Sequence, residues 1–190
     1  MKELGIALKD VESADDAAIE PYMRALAERG YDLIIGVGFV QEDTVRKVAK
    51  EFPNVHFALV DAKVRLPNVS SLLFNEHEGS FLVGAIAALK TKTNVIGFVG
   101  GMDIPLIHRF QLGYDAGAKH IKKEIKVLTH YVGVTGDAWN NPARGKELAK
   151  TQFSSNADII FTAAGASGLG VFDAAEELKR FVIGVDSNQN

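Results

Sequence analysis

The stretch DIIFTAAGASGLGVFDAAEEL, Asp158 to Leu178, decides how the rest of the chain is read. An apolar run empties into Gly165, Gly168 and Gly170 and then becomes a helical pattern, the outline of a strand, a turn and a helix. Glycine turns of this kind open dinucleotide sites, and Asp186 stands about twenty residues further on, at the end of the next apolar run. The spacing argues against that use. A dinucleotide fingerprint sets its glycines at relative positions 0, 2 and 5, so that the second lets the backbone close on a pyrophosphate; here they fall at 0, 3 and 5. What remains is a βα unit whose turn serves something other than a phosphate.

Working outward, the same rhythm fills the chain. LGIALKD (Leu4 to Asp10) reads as a strand, and Ser13 followed by Asp16 as a capping box for a helix that Gly30 ends. YDLIIGVG, a helix from about Gln41 to Glu51, VHFALVDA, the strand VSSLLF and the small-residue helix GSFLVGAIAALK follow. The second half repeats the pattern with NVIGFVGG, a helix from about Ile104 to Lys122, KVLTHYVG, a helix from about Pro142 to Gln152, DIIFTAAG, a helix from about Leu169 to Leu178, and FVIGVD. Leu33 to Val37 and Ile159 to Thr162 are nearly continuous in apolar residues, as in strands buried on both faces, which predicts parallel sheets with helices on both sides. The polar patch KTKTN, Lys90 to Asn94, is the expected boundary between two doubly wound α/β lobes, residues 1–92 and 93–190. The chain begins on a strand and stops just after another with no helix to cover it. This predicts either a piece of a longer protein or a homodimer whose second copy covers the exposed sheet faces.

Composition narrows the function. With 47% hydrophobic and 24% charged residues, the chain is neither disordered nor membrane-spanning in character. A net charge of −3, with lysines spread over many segments, gives no footprint for nucleic acid. There is no cysteine, hence no disulfide and no thiolate nucleophile. The apolar stretch in MKELGIALKD is too short for a signal peptide or a membrane span.

In open α/β sheets ligands bind beyond the carboxyl ends of the strands. Glycines gather there: Gly36 and Gly38, Gly100 and Gly101, Gly133 and Gly136, then Gly165, Gly168 and Gly170. Together they suggest a cleft where backbone comes close to something small. Asp61 closes FALVD and Asp186 closes FVIGVD, so each hangs at a strand's carboxyl edge, placed either to cap the next turn or to accept bonds from a polyhydroxylated ligand. Trp139, the one tryptophan, lies in the polar turn GDAWNNPARGKE with no apolar neighbours in sequence, as a stacking platform would. Catalytic constellations are thin. His77 in NEHEG has no spaced partners for a metal; Ser70, Ser71 and Ser167 lack a nucleophile elbow; Lys146 in ARGKE lacks a phosphate loop. No enzyme, no metal and no cofactor is expected.

The segments GFVQEDTVRKVAKEFPNVHFALVDA, NEHEGSFLVGAIAALKT, IGFVGGMDIPLIHRFQLGYDAGAK, NPARGKELA, ADIIFTAAGASGLGVFDAA and VIGVDSNQ, in this order, resemble the basic membrane protein family of bacterial ABC-transporter solute receptors, which includes purine nucleoside receptor lipoproteins. The resemblance implies a type I periplasmic-binding-protein fold, with two Rossmann-like lobes, incomplete at both termini, closing on a nucleoside-like small molecule. It implies that Asp61 and Asp186 bond base and ribose groups, that Trp139 stacks on the base, and that Gly165 approaches the ligand through backbone. Gly38 and Phe39 match a further cleft loop. It also implies an ABC permease as partner and an extracytoplasmic lipoprotein as the full-length form, the present chain being soluble and without a signal peptide. Relatives begin with a further strand and helix carrying an Asn-Asp pair and a second aromatic, and end with elements bringing a lysine to the ligand. The alternatives are a cytoplasmic ligand-sensing regulatory module of the same fold and a nucleotide-dependent enzyme.

Overall fold

The computed structural model describes residues 5, 7–13, 15–186 and 189. Parallel strands and helices alternate along them. β1 (Leu33–Val37), β2 (His56–Val60) and β3 (Val69–Leu72) form one sheet in that order; β4 (Val95–Met102), β5 (Lys126–Gly133), β6 (Ile159–Ala163) and β7 (Phe181–Ile183) form a second, ordered β5-β4-β6-β7. Every strand pair is parallel. The helices are α1 (Ile19–Glu28), α2 (Glu42–Glu51), α3 (Glu76–Lys90), α4 (Pro105–Ile121), α5 (Pro142–Ser154) and α6 (Gly168–Leu178).

Local chemistry accounts for the ends. Ile19, Met23 and Ala27 recur at helical spacing on the buried stripe of α1, which stops where Gly30 takes φ +75°. Its approach is capped by Asp15, whose Oδ1 accepts from the Ala18 N–H at 2.9 Å, and not by Ser13 as the expected capping box required. Pro105 and Pro142 open α4 and α5, where a missing N–H costs nothing, and the Asn141 side chain caps α5 through the Arg144 N–H. In NEHEG, α3 starts at Glu76, and His77 sits in its first turn. The expected strand Leu4 to Asp10 does not form in its described part. Residues 7–13 are exposed and extended along neither sheet, while Leu4 and Ile6 lie outside the described residues.

The compact units divide between Phe74 and Asn75, sixteen residues ahead of the polar patch at Lys90. Two contacts hold α3 and the polar patch to the second unit. Helix α3 lies backbone to backbone on α4: a Cβ at Gly84 would overlap the Tyr114 carbonyl, one at Gly113 that of His77, and one at Gly117 that of Phe81. The patch itself is bolted down by the buried carboxylate of Asp158, which accepts from Thr91 Oγ1 at 2.6 Å and from the Lys92 N–H at 2.7 Å.

In the first unit, α1 and α2 cover one face of the sheet around Ile34, Val45, Val48, Phe57 and Leu59. The opposite face of β1 is open: Leu33, Ile35 and Val37 are 51%, 56% and 66% exposed, so that strand is not buried on both sides as its composition predicts. In the second unit both faces are covered. Ile96, Phe98 and Phe161 meet Tyr114 of α4 on one side, while Val99 and Ile160 meet Leu148, Phe153 and Val171 of α5 and α6 on the other. All five residues of β6 are buried.

Candidate functional site

Parallel pairing places every strand's carboxyl end along one edge of its sheet, and the candidate residues occupy those edges. On the first unit, Gly38 follows β1 and Asp61 follows β2. Their loops are tied together, because the Gly38 N–H donates to the Val60 carbonyl at 3.3 Å and the Asp61 N–H to that of Leu72 at 3.0 Å. Gly38 has φ +104° with open space where a Cβ would be, and Phe39 opens a 3-10 turn whose ring packs on the core below. Asp61 is half-buried with φ +70°, a left-handed conformation uncommon outside glycine and most tolerated by Asn and Asp.

The second unit repeats the device. Asp186, exposed, has φ +66° and stands three residues beyond β7, so it follows the strand at a distance instead of closing it. Non-glycine left-handed residues at carboxyl edges are where backbone strain tends to accompany binding sites. Between β4 and β7, the loop after β6 carries Gly165 at φ +55°.

Trp139 ends the 3-10 turn Gly136–Trp139 that follows β5. Its benzo ring lies on Gly101 of β4, where a Cβ would overlap Cζ3, and Gly165 flanks it, a Cβ there standing 3.5 Å from Cε3. Half-buried, the indole joins the core cluster of Phe98 and Phe161. Without apolar neighbours in sequence, it takes them from distant strands. The space beside several glycines at the strand ends is filled by the protein itself. Gly101 and Gly165 admit the protein's own indole, and Gly100 admits Ile107 and Tyr131. Gly170 lets α6 meet the Pro142 carbonyl, and Gly145 lets α5 meet that of Ser167. Of the glycines gathered at the strand ends, Gly38 and Gly136 face open space.

Ser167, which lacks a nucleophile elbow, has a structural role that its sequence context does not announce. Fully buried, it donates from Oγ to the Ala138 carbonyl at 2.7 Å and accepts from the Asn141 N–H at 2.7 Å, fastening both sides of Trp139 to the GASGLG turn. Its setting among small residues carries no periodic signal. A pair was missed in the sequence: Asp103, just beyond β4, meets His108 Nε2 of α4 at 2.5 Å, and the imidazole stands edge-on to Tyr131 at 5.6 Å. Burial, then the Asp103 charge, push the Tyr131 hydroxyl up, so it stays neutral and able to donate at neutral pH.

Near the start of α3, Arg109 grips Glu76 through Nε at 2.9 Å and Nη2 at 3.2 Å. Burial works to raise the Glu76 carboxyl, but the Arg109 bonds, a backbone bond and nearby positive charge hold it below the ordinary carboxylate range. Among the described residues no group of three or more His, Asp or Glu side chains is arranged to hold a metal, and no helix is long and apolar enough to cross a membrane. The arrangement offers acceptors, a fixed aromatic and backbone groups, the equipment of recognition.

Comparison with known proteins agrees in kind. Residues 1–190 match the family Bmp, described as ABC transporter substrate-binding protein PnrA-like. The chain is 41% identical over 171 residues to the ABC transporter nucleoside-binding protein BmpA of Lactococcus lactis, covering 85% of this chain and 48% of that protein. It is 37% identical over 187 residues to the CD4+ T-cell-stimulating antigen of Listeria monocytogenes, covering 94% and 51%. A solute-binding protein of an ABC transporter system from Aeropyrum pernix superposes with a TM-score of 0.84 at 32% identity, over 99% of this chain and 55% of that one. The chain thus spans about half the length of the curated relatives it matches. The fold class is that of the type I periplasmic binding proteins, and the chain belongs to the Bmp family of ABC transporter substrate-binding proteins.

Proposed function

We propose that the chain carries recognition surface for a nucleoside-like solute of an ABC transporter, on the first unit at Asp61, Gly38 and Phe39 and, taken by itself, on the second at Trp139, Gly165 and Asp186. The observation that carries this reading is the indole of Trp139, held half-exposed at the carboxyl edge by Gly101, Gly165 and the Ser167 hydrogen bonds. Fixed aromatics stack on bases of any sequence, at about 1–3 kcal/mol each. Left-handed aspartates at the edges supply acceptors for sugar hydroxyls and base N–H groups. The name of the Lactococcus relative supports the same solute class. In the full-length protein the partner is an ABC permease and the location extracytoplasmic, following the family description. No catalytic step is assigned. The open face of Leu33, Ile35 and Val37 is where a second copy would dock if the chain dimerises.

Trp139 is the only tryptophan, so its fluorescence reports on the site directly. Titration with a panel of purine nucleosides at millimolar concentration is expected to quench or shift its emission and to raise the melting temperature. If both stay unchanged across the panel, the reading fails for this chain.

A further inference from the structure

A second place on the first unit has the makings of a site, and its chemistry differs from that of the carboxyl edges. Arg46 and Lys50, one helical turn apart on α2, face Lys63 and Arg65 from the segment after β2 across a hollow of about 280 Å³, with Val64, Leu66 and Glu42 completing its wall. Four cations thus line one depression against a single carboxylate, in a chain whose net charge is −3. Glu42 and Asp43 are already engaged with Arg46. None of Lys50, Lys63 and Arg65 takes part in an ion pair among the described residues, although the neighbouring Arg24 and Lys47 are matched to Glu51 and Glu20.

The segment that presents Lys63 and Arg65 is built to hold them outward. Ala62 and Val64 are buried, so the alternate residues face solvent on one side. Ser71 Oγ accepts from the Val64 N–H at 3.0 Å and donates to its carbonyl at 3.3 Å. The amide of Asn68 donates to the carbonyls of Ala49, Phe52 and Val55, locking the same segment to the end of α2. Like charges held together on a rigid frame repel one another unless an anion sits between them, and guanidinium and ammonium groups match phosphate oxygens. We propose that this hollow is a binding site for phosphate-bearing anions, held by Lys50, Lys63 and Arg65 with Arg46 at its side. The proposal does not depend on the nucleoside reading, whose residues lie elsewhere.

The test uses the whole 190-residue chain and two double variants of equal charge change: Lys63→Glu with Arg65→Glu at the hollow, and Lys123→Glu with Lys126→Glu on the second unit. Inorganic pyrophosphate is titrated by calorimetry at two salt concentrations. In parallel, vesicles of phosphatidylglycerol and of phosphatidylcholine are co-sedimented with each protein. Pyrophosphate affinity that weakens at least about tenfold in the first variant and not in the second assigns the site to free phosphates. Capture by phosphatidylglycerol alone, lost in the first variant only, assigns it to lipid headgroups. No binding of either probe, or equal loss in both variants, overturns the proposal.

Discussion

Strands β1 and β6 are nearly interchangeable as sequences, LIIGV against IIFTA, yet the first is buried on alternate residues and the second throughout. Composition sets how apolar a strand is; coverage is decided by helices that arrive from elsewhere in the chain. α5 and α6 meet the β6 face that carries Ile160, and α4 meets the other. Among the described residues, the helices that cover the first sheet are α1 and α2, both on the side of Ile34.

Matched substitutions in the two units sharpen this contrast, beginning with the largest effect. Ile160→Ala empties a fully buried position and is expected to cost about 2–5 kcal/mol in denaturant unfolding, whereas Ile35→Ala, at 56% exposure, stays within about 0.5 kcal/mol. In sedimentation, Ile35→Glu is expected to dissociate any dimer that docks on the open face. Equal costs for the two alanine variants would mean that β1 is covered after all.

Glycines divide the same way. Gly170→Ala drives a Cβ into the Pro142 carbonyl, which cannot swing aside, and should destabilise by about 3 kcal/mol or more. Gly38→Ala meets open space and is strained only by its extended, positive-φ backbone (φ +104°, ψ +144°), at about 1–3 kcal/mol. A reversed order in thermal melts would show that α5 and α6 are less tightly joined than their backbones indicate.

The smallest contrast is electrostatic. The Glu76 side chain is 8% exposed in its grip by Arg109, while Glu20, Arg24, Lys47 and Glu51 of the first unit form a network with side chains 29–58% exposed. Because the folded-state carboxyl of Glu76 lies below its unfolded value of about 4.3, its contribution is complete above that pH and fades as the pH falls through the folded value. Glu76→Gln should therefore lower the melting temperature at pH 7 and progressively less towards pH 3. Glu20→Gln should change it little at pH 7, since solvent screens exposed pairs. A constant difference between wild type and Glu76→Gln across the range would remove the carboxylate from the account.

The alternation of strand and helix was legible because period and punctuation are local properties, and Pro142 and Gly30 mark the ends they were read to mark. The unit boundary was not, because it depends on the backbone contact of α3 with α4 through Gly84, Gly113 and Gly117 and on the buried bonds of Asp158, both long-range. At the candidate site, the edge positions of Gly38, Asp61 and Gly165 followed from strand ends. The seat of Trp139 on Gly101 and the Ser167 clamp did not, since each joins residues more than twenty-five apart in sequence.

Nucleoside recognition at the strand edges is tested most directly by calorimetric titration of a purine nucleoside into the wild-type chain, Asp61→Asn and Asp186→Asn. Asparagine tolerates the left-handed backbone at both positions, so the substitutions remove charge and leave the fold. Binding by the wild type is expected, with a loss of about tenfold or more in each variant, as removal of a charged hydrogen-bond acceptor requires. Affinity unchanged in both variants, or no heat from the wild type at millimolar nucleoside, would contradict recognition there.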